Sequence, residues 1–119
     1  MKKSVEIKIK DKVYELCYDI RSLARLEKLI GKSIIYTFGS GGAHMLRQVD
    51  IGFTVAGLIV ALKMKSEDEA YDFIDAYCEA GGDIDHLEGS IIEAIYATGL
   101  FTMGTAKNET VPMAKKEKK

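Results

Sequence analysis

Two stretches of this chain carry opposite charge at one helical spacing. Arg21, Arg25, Lys28 and Lys32 fall at i, i+4, i+7 and i+11, and Asp68, Asp72, Asp75 and Glu79 repeat the interval with the sign reversed. At about 100° per residue, each set lines one narrow helix face and leaves the opposite face to be apolar and turned inward. A chain built on two such helices must bury their backs against a third element. It then shows their charged fronts to each other or to a copy of itself, or offers the acidic one to a basic partner. The segregation extends beyond these eight residues. Residues 1–65 hold 12 bases and 6 acids, residues 66–101 hold 10 acids and no base, and the net charge of −1 conceals the difference. Four acids stacked a turn apart repel one another, and a helix selected only for stability would interleave lysines. The eight residues are therefore the candidate partner-binding positions.

The remaining class arguments are short. With 119 residues, 47% of them hydrophobic, the chain can bury one ordinary core. One domain over residues 1–101 is expected, followed by a flexible basic tail, 102–119, that closes on Lys115-Lys116-Glu117-Lys118-Lys119. The longest apolar run, IGFTVAGLIVAL from Ile51 to Leu62, has 12 residues. A membrane span needs about 20, so the run reads as a buried helix. Cys17 and Cys78 form no spaced pattern, and Met1-Lys2-Lys3 runs straight into an alternating strand. The expectation is a reduced, cytoplasmic protein without a signal peptide, its cysteines small core residues. No basic excess points to nucleic acid as a partner.

Along the chain, Val5, Ile7 and Ile9 alternate with Glu6, Lys8 and Lys10, and Val13 to Tyr18 continues in extended residues after a polar turn: a β-hairpin. Asp19 caps a helix whose inner face is Ile20, Leu23, Leu26, Leu29 and Ile30, and Gly31 stops it. A short turn through Ile34, Ile35, Tyr36 and Phe38 leads into Gly39-Ser40-Gly41-Gly42. A short helix around Met45, Leu46 and Val49 then precedes a longer one, capped by Asp50 or Thr54, that runs to about Met64. Ser66 and Glu69 make a capping box for a helix with Ala70, Tyr71, Phe73, Ile74, Tyr77 and Cys78 inside and the acidic row outside, ended by Gly81-Gly82. Asp85 and Glu88 repeat the box ahead of a last helix lined by Leu87, Ile91, Ala94, Ile95 and Thr98 and stopped at Gly99. The fold class is α+β: a hairpin followed by a mostly helical bundle of four to five helices and a disordered C-terminal tail.

Catalytic and ligand motifs fail on their spacing. Gly31-Lys32-Ser33 ends like a P-loop, but position 26, where that loop needs glycine, is a leucine inside an amphipathic helix. Asp83, Asp85 and Glu88 begin like a calcium loop, yet Glu88 stands where its glycine belongs, and capping explains them better. His44 and His86 lack partners at metal-ligand spacing. The expectation is a protein that is no enzyme and uses no cofactor or metal.

The segment VEIKIKDKVYELCYDIRSLARLEKLIGKSI, through Lys12, Tyr14, Leu16, Leu26, Glu27, Gly31, Ser33 and Ile34, resembles the opening of tail assembly chaperones of long-tailed bacteriophages and related gene-transfer particles. More loosely, the resemblance continues to about residue 100. It implies a small cytoplasmic chaperone that coats the tape-measure protein, recruits tail-tube subunits and is absent from the finished virion. It implies no catalytic residues. In that family a programmed frameshift near the 3′ end yields a minor longer product, and Lys115-Lys116 and Lys118-Lys119 are pairs that an A-rich slippery stretch would encode. A homo-oligomer follows if the basic helix of one copy meets the acidic helix of the next, head to tail. Two alternatives stay open: a structural tail component retained in the virion, and a small bacterial regulatory or adaptor protein.

Overall fold

The computed structural model describes residues 4–34 and 50–100. These form β1 (Ser4–Ile9), β2 (Lys12–Cys17), α1 (Ile20–Ile30), α2 (Ile51–Leu62), α3 (Glu67–Glu79) and α4 (Ile84–Tyr96), the mixed α+β class expected. The turn through Ile35, Tyr36 and Phe38, the glycine segment, the short helix around Met45, Leu46 and Val49, and the basic tail lie outside the described residues.

The hairpin is antiparallel, with Val5 opposite Leu16, Ile7 opposite Tyr14 and Glu6 opposite Glu15. Period-2 alternation sends Val5, Ile7, Tyr14 and Leu16 to one face. Ile7 and Leu16 are buried, and the Tyr14 ring meets Phe73 of α3 edge-on at 4.9 Å. The opposite face carries Glu6, Lys8, Val13 and Glu15, all exposed.

Helix α2 is the axle of the domain. It packs against α1, α3, α4 and β2, which is why its sequence has no polar face to spare. Asp50 resolves the choice of cap by accepting the N–H of Phe53 at 2.8 Å. Thr54, the other candidate, is buried inside the helix and donates to the Glu88 carboxylate at 3.0 Å. No helix among the described residues is long and apolar enough to cross a membrane.

Other local signals behave as read, with corrections: Ile20, expected on the inner face of α1, is exposed, and further departures concern Lys32, both capping boxes and α3. Asp19 caps α1 through the N–H of Ser22, and Gly31 ends it with φ 69°. The left-handed cap places Lys32 beyond the helix, so the basic row on α1 is Arg21, Arg25 and Lys28, and extending the helical spacing past the glycine was an error. Ser66 accepts from Glu69 at 3.3 Å, but the Glu69 carboxylate returns to the N–H of Lys65, at 3.4 Å, rather than to the cap itself. The cap of α4 is Asp83, not Asp85: its carboxylate accepts the His86 N–H at 2.8 Å and also contacts the His86 ring, so Asp85 falls in the first turn. Leu87, Ile91, Ala94 and Ile95 are buried as expected. The last correction concerns α3, which packs on α2 and β1 and so buries only a narrow stripe around Ala70 and Phe73. Tyr71 and Cys78 stand outside it, so Cys78 is an exposed residue and not a core one, while Cys17 is half-buried.

Candidate interaction surface

The structure places Arg21, Arg25 and Lys28 of α1 and Asp68, Asp72, Asp75 and Glu79 of α3 at the surface, all exposed. Both helices lie against α2. Among the described residues no ion pair is seen between Arg21, Arg25 or Lys28 and the acidic row, while Lys32 lies 3.5 Å from the Asp50 carboxylate. Folding the rows onto each other within one molecule is thus not the arrangement adopted. Near the middle of the acidic row, Glu69 and Asp72 share a shallow hollow of about 400 Å³ with Lys10 and Lys12 of the hairpin turn, again without an ion pair.

Between the two charged helices runs a cleft of about 270 Å³. Its floor is the outward side of α2, with Phe53, Val55, Ala56 and Ile59. Leu29 of α1 forms one lip and Tyr71 of α3 the other, 52% and 47% exposed. Polar groups mark its ends: the Lys32–Asp50 pair and Glu67. The Asp50 carboxyl is held below the usual aspartate range, first by the Phe53 N–H and further by Lys32, so this end of the cleft carries a fixed charge pair.

Leu29 and Tyr71 are the positions that sequence reasoning missed as a site. Both were assigned to inner faces, and both project sideways from their helices onto the rim. Their signal is angular: each lies at the edge of its apolar stripe, next to the charged row, with Leu29 one turn from Arg25 and Tyr71 one turn from Asp68 and Asp75.

Glu27 explains the short motif in which it stands. Its carboxylate accepts the backbone N–H of Ile34 at 2.8 Å, across the turn made by Gly31, while Ile34 and Leu26 are buried. The Leu-Glu pair and the Gly-x-Ser-Ile turn are thus one latch that closes the end of α1, and they hold the fold rather than supply a binding group. Among the described residues no three His, Cys, Asp or Glu side chains gather as metal ligands would. Set against protein-family models, curated proteins and solved structures, the chain matches none of them.

Proposed function

We propose that this chain is a non-catalytic binding protein, a tail assembly chaperone that holds the tape-measure protein of a phage-like tail in solution until tail-tube subunits cover it, and that leaves before the particle is complete. The observation that carries the reading is the cleft between α1 and α3, with the large side chains of Leu29 and Tyr71 exposed on its lips. A long, apolar-faced helical target aggregates while uncovered, and a groove that accepts its apolar side chains removes that hazard without chemistry. The acidic row on α3 lies along the same surface, where basic positions of the target would meet it. The family itself is taken from the resemblance of the opening segment, through Lys12, Tyr14, Leu16, Leu26, Glu27, Gly31, Ser33 and Ile34.

Co-expression tests the reading. The full chain should keep the tape-measure protein soluble and co-purify with it, while Leu29→Asp and Tyr71→Asp should each return most of the target to the pellet. A target that stays insoluble beside the wild-type chain defeats the proposal. Mass spectrometry of purified particles separates the chaperone, which is absent from them, from a tail component, which is present.

A further inference from the structure

We infer that, without a target, two copies of this chain close the cleft on each other about a twofold axis, α1 of each against α3 of the other. The cleft has unlike walls: a helix with Arg21, Arg25 and Lys28 on one side, and a helix with Asp68, Asp72, Asp75 and Glu79 on the other. A twofold axis that runs along the cleft, in the plane where the two copies meet, exchanges the walls, so the basic row of each copy lands on the acidic row of its partner. One contact then pairs both rows and covers Leu29 and Tyr71 of both copies. Any arrangement that brings like walls together is penalised by repulsion, which makes the reciprocal one specific. Head-to-tail pairing, the simpler expectation from sequence, uses one row of each copy per contact and leaves a cleft open at the end of every array. What favours the closed pair is that the two helices carrying the rows, α1 and α3, border the same cleft through Leu29 and Tyr71.

This inference rests on the cleft being the chain's binding surface, and it makes the closed pair the form that a target must open. Sedimentation of the full chain tests it. Wild type should run at twice its 13.2 kDa mass in about 20 mM salt and move toward one copy in about 500 mM, where the rows are screened. Asp72→Lys with Asp75→Lys should be monomeric in low salt, and so should Arg21→Glu with Arg25→Glu. An equal mixture of these two variants should regain a pair, because the unaltered basic row of one then meets the unaltered acidic row of the other, and the new lysines meet the new glutamates. All four positions are exposed, and recovery on mixing shows that each variant is folded. A wild-type chain that is monomeric in low salt overturns the proposal and leaves the cleft to the target or to this chain's own remaining residues. Wild-type assemblies that grow past two copies with concentration overturn it in favour of head-to-tail pairing. A monomer that still holds the tape-measure protein in solution defeats the pair and keeps the proposed function, and a closed pair that fails to hold it does the reverse.

Discussion

The hydroxyl of Tyr18 donates a 2.8 Å hydrogen bond to the carbonyl oxygen of Gly57, wholly inside the core. It ties the residue that follows the hairpin to the middle of the central helix. Glycine is needed there because a Cβ at position 57 would stand 3.0 Å from Cγ2 of Ile91 and 3.2 Å from the Tyr18 hydroxyl.

Tyr18→Phe should cost about 1–2 kcal/mol by removing the donor from a buried site. Gly57→Ala should also be destabilising, by about 1 kcal/mol, because overpacking at Ile91 outweighs the helix propensity gained. Chemical denaturation of both single variants and the double should show less than additive loss, since the phenylalanine removes one of the two clashes. Burial raises the ionisation of Tyr18 well above the tyrosine range. The neutral hydroxyl is the form the fold keeps, so the stability it contributes is present below about pH 10 and declines as pH rises beyond it, a decline that Tyr18→Phe should lessen.

Asp50 predicts the acid limb. Its carboxyl is lowered chiefly by the Phe53 N–H; burial opposes this, and Lys32 adds to the lowering. A group lowered in the folded state contributes stability above the ordinary aspartate pKa and loses it as pH falls through the lowered value. Melting temperature should therefore drop below about pH 4, and Asp50→Asn, which still caps α2, should flatten part of that drop. An unchanged acid limb in this variant would show that other carboxylates set it.

Glu27→Ala should cost about 1.5–3 kcal/mol, the range for a hydrogen bond to a charged group, because it releases the Ile34 N–H at the end of α1. Glu27→Gln should recover part of the loss. Amide exchange at Ile34 is the direct readout: it should quicken in the alanine variant while amides in α4 keep their rates.

Glu6 and Glu15 face each other across the hairpin on its exposed side. Like charges directly opposite destabilise a strand pair, so Glu15→Lys should raise stability by about 0.2–1 kcal/mol. The gain should shrink in high salt, measured by thermal melts at two ionic strengths.

Local signals in the sequence carried far. Asp19 and Ser66 cap the helices they were expected to cap, and Asp50 is the one of the two expected candidates that caps α2, because an N-cap needs only a side-chain oxygen and an N–H two or three residues on. Asp83 and Asp85 show where that information ends: both can cap, and the choice fell to the residue that also reaches the His86 ring. Lys32 shows that helical spacing can be counted past a glycine that has already ended the helix. The cleft was not legible at all. Its lips come from α1 and α3, and whether Leu29 and Tyr71 are core or rim depends on how widely each helix touches α2, which no periodicity within one helix contains.

The central position of α2 has a consequence for how the polypeptide can be divided. Leu16, Tyr18, Leu23 and Leu26 come from the chain before residue 35, and α2 and α4, on which they depend for a core, come after residue 49. Neither portion holds the whole core, because residues from both are buried together in one cluster. Cut between them, the gene should yield two fragments that complete this core only by meeting, so that recombination of the halves would itself report their encounter.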